Sequence, residues 1–337
     1  MKVAEFDKIR SIVIKQGQPP KHSVGEVLVK TLLTGICGSE VHAYLGTHPF
    51  RLPPSVLGHE VIGEIISVGK GCKGLQEGDL VVIEPHYGCG KCFACENGDY
   101  NLCTEKTILG TVKWPGSFGE QFVAPAQCVY KIPKEFDSRY ILVEPLAVGY
   151  HAVKKAEIQK GENVLIIGGG PIGILTGVAA KEAGAEKIYI SDIAELNLKT
   201  VEDLNIGEAI NSLKVDLEEY LKNQVIQHVF ITVGITKGIE DACKLIVRKG
   251  KIISIALFEK SVPLDFNQVM IKEIQIFGSS MYTQDDFVNS INLVNSSKYP
   301  LEKIITKTYK FNDIHQAMED CVLKSRETIK SVVDFTK

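Results

Sequence analysis

The chain has no excess of charge, no basic stripe, no long apolar run and no internal repeat. Its 38 Lys and Arg nearly balance 41 Asp and Glu, for a formal net charge of −3. A nucleic-acid binder usually concentrates basic residues on one face. The charged runs here are short and mixed in sign, and read as solvated surface. The most apolar long segment, VLIIGGGPIGILTGVAA from Val164 to Ala180, is too short and too broken by Gly and Pro to cross a bilayer. The opening residues, MKVAEFDKIR, carry charges of both signs and lack the apolar centre of a signal peptide. We therefore expect a cytoplasmic protein without membrane or nucleic-acid partners. No low-complexity tract interrupts it. The 337 residues suggest about two domains, and a 45% hydrophobic content is enough to bury a large core.

Before residue 140 no helical period longer than about ten residues appears, whereas GEVLVKTLL, GEIISVG and GDLVVIE read as short strands bounded by turn residues. VEPLAVGYHAVKKAEI then reads as a helix. Strands and helices alternate from Asn163 onward: NVLIIG, KIYIS, HVFITVG, KIISIAL and IQIFGSS as strands, PIGILTGVAAKEAG, AELNLKTVEDL and IEDACKLIVRK as helices. Such alternation predicts a parallel sheet covered on both faces. A helix over TQDDFVNSINLVNSS leads back to mixed structure ending in the strand IKSVVDF. We expect an α/β chain in which a doubly wound domain over 147–281 interrupts a β-rich domain built from 1–146 and 282–337, with a binding cleft between them.

GGGPIG supplies Gly168, Gly170 and Gly173 in the order GxGxxG, after an apolar strand and at the start of a helix. Gly168 permits a tight turn, Gly170 lets a pyrophosphate approach the backbone, and Gly173 lets helix and strand pack closely. Pro171 and Ile172 open the helix, whose free N–H groups face the phosphates. The next strand ends at Asp192, 24 residues after Gly168 and followed by Ile193 rather than an arginine. A carboxylate there accepts ribose hydroxyls and repels a 2′-phosphate, which favours NAD over NADP. Val233, Gly234 and Ala256 fall at expected strand ends, where a nicotinamide would lie, although packing alone also accounts for them.

Four of the nine cysteines, Cys89, Cys92, Cys95 and Cys103, lie within YGCGKCFACENGDYNLC. Four thiolates close a tetrahedral structural zinc site and leave no position for substrate, so the chemistry is sought elsewhere. Cys72, Cys128, Cys243 and Cys321 read as buried small hydrophobes. A scattered second set comprises Cys37, Ser39 and His42 in GICGSEVHAY, His59 and Glu60 in GHEVIGE, and Glu144 in VEPLAVGYH. It offers one thiolate, one imidazole and two carboxylates, the donor types of a catalytic zinc with an exchangeable position. Spacing alone does not assemble them.

These motifs, in this order, resemble the zinc-dependent medium-chain dehydrogenase/reductase family. The resemblance spans nearly the whole chain and implies a GroES-like catalytic domain interrupted by a Rossmann domain. It implies two zinc ions per chain, a homodimer or homotetramer, and catalytic zinc held by Cys37 and His59. Glu144 within EPLAV is similar to the polyol branch, where Glu60 and Glu144 share the roles of third ligand and partner to the zinc-bound water; which does which stays open. The resemblance also supports a proton relay from Ser39 through the nicotinamide ribose to His42. The expected reaction is reversible oxidation of a secondary alcohol in a polyol, diol or amino alcohol. Glu40 stands where the family often has Asp. Tyr44, Phe50 and Trp114 are candidate pocket aromatics, although such residues more often pack in cores, and Arg51, near the expected entrance, is a candidate phosphate contact or an ordinary surface arginine. Two rivals are a non-catalytic zinc- or nucleotide-binding member and a zinc-free quinone or enone reductase, which would use NADPH and lack the cysteine lobe.

Overall fold

The strand Glu26–Ile36 organises the first unit of the computed structural model, which describes residues 1–337. Along one edge it pairs antiparallel with Val61–Val68. Its other edge is shared, with Gln121–Pro125 on its first half and Lys330–Asp334 on its second. Ile305–Lys310, Leu80–Ile83 and Val129–Lys131 extend the sheet to seven strands. This unit comprises Met1–Glu144 and Ile291–Lys337. One of its cores packs Phe6, Tyr44, Leu57 and Phe118 against Ile314 and Met318 of the helix Ile314–Leu323, so chain start and chain end share one apolar cluster. Burying each such side chain contributes roughly 1.5–3 kcal/mol.

The second unit, Pro145–Ser290, carries a six-stranded parallel sheet. Its spatial order is Glu208–Asn211, Ile188–Asp192, Val164–Ile167, Ile226–Ile231, Ile246–Ser254, Gln275–Gly278. The order reverses between Val164–Ile167 and Ile226–Ile231, the topological switch point at which such sheets open a ligand crevice beyond the strand ends. All four residues of Val164–Ile167 are buried, as expected for a strand covered on both faces. The helix Pro171–Glu182 starts with Pro at its first position and Gly170 as N-cap, a placement that loses no helical hydrogen bond.

The expected helix over IEDACKLIVRK is shorter than its apolar pattern suggested. It spans Thr236–Leu245, and Ile246 already begins the next strand. A short apolar run does not separate buried helix from buried strand; pairing of Ile246 with Ile226 decides it. No helix is long and apolar enough to cross a membrane.

Candidate active site

Cys37 caps the seven-residue helix Gly38–Tyr44. Glu40, in its first turn, reaches back to accept the Cys37 backbone N–H at 2.8 Å, one arm of a capping box. The same carboxylate accepts the Gly58 N–H at 3.1 Å and meets His59 Nδ1 at 2.5 Å. A local capping interaction thus reaches across the sheet, fixing the His59 ring with Nδ1 on Glu40. Burial raises the Glu40 carboxyl, but His59 outweighs it and holds Glu40 at about 2. Burial likewise lowers His59, and Glu40 outweighs it, holding the imidazole well above its usual range.

Glu60 comes to the same place through register. Gly35 donates its N–H to the Glu60 carbonyl, and Ser331 pairs with Ile36. Lys330 therefore stands opposite Glu60 across the central strand. Its Nζ donates to both Glu60 oxygens, at 2.7 and 2.9 Å, and to the Ile36 carbonyl at 3.3 Å. Both side chains are almost fully buried. Burial disfavours the Lys330 ammonium, but Glu60 above all, then Cys37 and Glu144, holds it protonated. Gly35 makes room: a Cβ there would lie 1.9 Å from Glu60 Oε2.

The outcome is a cluster in which ligand atoms of Cys37, His59 and Glu60 lie within 4.8 Å of one another. Thiolate, oriented imidazole and buried carboxylate suit zinc. Glu144 opens the helix Val143–Ala156 and lies outside this set, though its charge still acts on Lys330. Ser39 Oγ is covered and has no protein partner. His42, one turn further along the helix, meets Thr47 Oγ1 through Nδ1 at 3.0 Å. Cys89, Cys92, Cys95 and Cys103 form a second set within the same 4.8 Å limit. The Cys89 N–H points to Cys103 Sγ and draws that thiol down to about 7. A Cβ on Gly88 would meet Cys95 Sγ at 2.5 Å, so the loop closes tightly around its sulfurs.

In the second unit, Gly168 adopts φ +103° at the end of its strand, and a Cβ on Gly173 would lie 1.8 Å from the Gly168 carbonyl. Around Gly170, by contrast, a Cβ meets nothing within 4 Å. That open cradle at a helix N-terminus fits a pyrophosphate. Asp192 accepts the Gly169 N–H through Oδ2 and the Ile193 and Ala194 N–H groups through Oδ1. Oδ2, with a single bond, keeps capacity for a ribose hydroxyl. Val233, Gly234 and Ala256 lie just beyond the strands ending at Ile231 and Ser254.

Residues 23–134 match the alcohol dehydrogenase GroES-like domain, and 171–296 the zinc-binding dehydrogenase domain. A sorbitol dehydrogenase of Halalkalibacterium halodurans is 33% identical over 93% of this chain and 91% of its own length. An L-threonine 3-dehydrogenase of Pyrococcus furiosus is 34% identical over 89% of each. A solved Escherichia coli structure, a short chain alcohol dehydrogenase complexed with NADH, superposes with a TM-score of 0.92 at 27% identity and covers 99% of both chains.

The chain belongs to the zinc-dependent medium-chain dehydrogenase/reductase family, in its polyol branch.

It is thus an oxidoreductase of the alcohol dehydrogenase kind. Among the other candidate side chains of this dehydrogenase, two of the three aromatics take the core positions that are the commoner use of such residues. Tyr44 is fully buried, its hydroxyl on the Arg10 carbonyl and Glu319. Trp114 packs in a core, donating to the Val123 carbonyl at 2.7 Å. Phe50 is exposed and packs edge-on against His48. Arg51 is buried, with Nη1 on the Leu109 and Gly110 carbonyls at 3.1 and 2.9 Å; that nitrogen braces a loop. Of the four cysteines read as buried, Cys128 and Cys243 are buried, whereas Cys72 and Cys321 are partly exposed. Lys330 was missed altogether. Its only sequence signal is that it is the one cation in the strand segment IKSVVDF, whose other polar residues are Ser331 and Asp334.

Proposed function

We propose that this chain oxidises a secondary alcohol of a polyol, diol or amino alcohol to the ketone, reversibly, with NAD as hydride acceptor and zinc at Cys37 and His59. The observation that carries the reading is the convergence of Cys37, His59 and Glu60, with His59 Nδ1 held by Glu40. When bound there, zinc supplies Lewis acidity that eases loss of the substrate hydroxyl proton, and NAD accepts the hydride.

The chain's own residues do the rest. Glu40 holds the His59 ring in one orientation and leaves Nε2 as its donor atom. Glu60, with both oxygens on Lys330, keeps negative charge beside the ligands, and Glu144 is the alternative carboxylate ligand. Ser39 Oγ would accept the substrate hydroxyl proton as it releases its own toward His42, which would deliver a proton to solvent. Asp192 favours NAD by repelling a 2′-phosphate, and the NADH in the related Escherichia coli structure supports that preference. The four cysteines brace their lobe around a second zinc and take no part in the reaction.

The test is a screen of polyols, diols, amino alcohols and their phosphates with NAD and NADP in parallel, read by reduced-cofactor absorbance. Reduction of NAD by a member of these classes, in protein carrying about two zinc ions per chain, is the expected result. Inertness toward every alcohol in zinc-loaded protein would favour a non-catalytic role. Zinc-free reduction of enones by NADPH would place the chain with the quinone reductases.

A further inference from the structure

The loop between the Cys37 helix and His59 carries a histidine that the reaction does not use. His48 is buried, at 6% exposure. Its Nδ1 accepts the backbone N–H of Phe50 at 3.4 Å and of Arg51 at 3.1 Å. An imidazole accepting at Nδ1 carries its proton on Nε2. That Nε2 has no protein acceptor and is not fully covered, so it keeps an opening to solvent. Burial, then the Arg51 guanidinium, hold the ring at about 4, so it is a neutral donor at working pH.

The ring lies within electrostatic reach of Glu40, His42 and His59 as well as Arg51. The loop is pinned on both sides of it. Thr47 bonds His42 Nδ1, and Arg51 Nη1 holds the Leu109 and Gly110 carbonyls. Phe50 and Leu52 are exposed alongside. A fixed N–H donor packed against Phe50, within electrostatic reach of the metal-ligand set, has a narrow use: it selects an occupant presenting an oxygen lone pair.

We propose that His48 is a specificity-determining residue, donating from Nε2 to an oxygen on the carbon neighbouring the one that is oxidised. This rests on the functional reading above and adds its substrate class: a vicinal diol, polyol or hydroxy acid rather than a simple secondary alcohol. With Nδ1 committed to the loop, Nε2 donates only. A monofunctional alcohol has no second oxygen to receive the bond and leaves the donor unpaired, which costs affinity.

Two variants separate the donor from the loop. His48→Asn places an amide oxygen close to where Nδ1 accepts, keeping the loop, but does not reach as far as Nε2. His48→Gln reaches the Nε2 position and gives up the Nδ1 acceptor. The assay is kcat/KM for 2,3-butanediol against 2-butanol in the zinc-loaded full chain. We expect His48→Asn to lose about 10- to 100-fold on the diol, mainly through KM, with 2-butanol unchanged, and His48→Gln to retain the diol preference. Equal loss on both alcohols in His48→Asn, or no loss on either, overturns the assignment and leaves the functional reading standing. A wild-type protein inert toward every alcohol overturns both.

Discussion

Replacing Lys330 with Met removes the one cation bonded to Glu60 while keeping most of the side-chain volume. The two groups are 3% and 0% exposed, and Lys330 makes three hydrogen bonds, two of them to Glu60. No other donor reaches that carboxylate. Breaking a buried ion pair from one side costs about 3–5 kcal/mol, because the remaining charge is left without a partner. Removing both charges costs far less. In metal-free protein, Lys330→Met should therefore lose about 3 kcal/mol or more, and Lys330→Met combined with Glu60→Gln should recover at least about 2 kcal/mol of it. The assay is urea unfolding followed by fluorescence of Trp114, the single tryptophan, which is buried in the same unit. Zinc should narrow the deficit, since a second cation then faces the carboxylate. A loss below about 1 kcal/mol, or a double variant no more stable than the single one, refutes the reasoning.

Two glycines of the fingerprint should fail differently. Gly170→Ala meets open space and should fold normally while weakening NAD binding about tenfold or more, measured by fluorescence titration; Gly173→Ala drives its Cβ into the Gly168 carbonyl and should lower the melting temperature. The Glu40–His59 pair gives metal-free protein a stability optimum. Glu40, held at about 2, contributes fully above 4.5 and loses that contribution as pH falls toward 2. His59, held above its ordinary 6.5, contributes fully below 6.5 and loses that contribution as pH rises through its raised value. Unfolding free energy should thus peak between about pH 5 and 6.5, with Glu40→Gln flattening the profile; identical profiles would count against the pair. His42→Gln should slow turnover by about 10²-fold, most at low pH where solvent hydroxide cannot substitute, with zinc content intact. Uniform loss at every pH would exclude the relay.

How much of this could be read without coordinates depended on distance along the chain. The cysteine lobe spans fifteen residues, and GxGxxG sits on one strand–helix turn, so spacing alone carries both. Cys37, His59 and Glu60 needed the family's pattern, because their approach depends on how Glu26–Ile36 pairs with Val61–Val68. Lys330 lies 270 positions from Glu60, and nothing local joins them until the last strand docks beside Ile36. Gly35 carried a hint, since an interior strand glycine often marks a close approach, but what approaches was set by register. Arg51 and Tyr44 show the reverse limit. A position close in sequence to the candidate ligands does not say which way a side chain turns, and both turned toward backbone carbonyls. Glu40, one methylene longer than the Asp that often stands there in the family, spans the Cys37 and Gly58 N–H groups and His59 at once.

The central claim is that Cys37 and His59 grip the metal at which the alcohol reacts. Anomalous scattering at the zinc edge, from crystals of a preparation shown to oxidise a diol, tests it most directly. We predict two peaks per chain, one enclosed by Cys89, Cys92, Cys95 and Cys103 and one bounded by Cys37 and His59. A turning-over preparation with a peak in the cysteine lobe and none beside Cys37 would contradict the account.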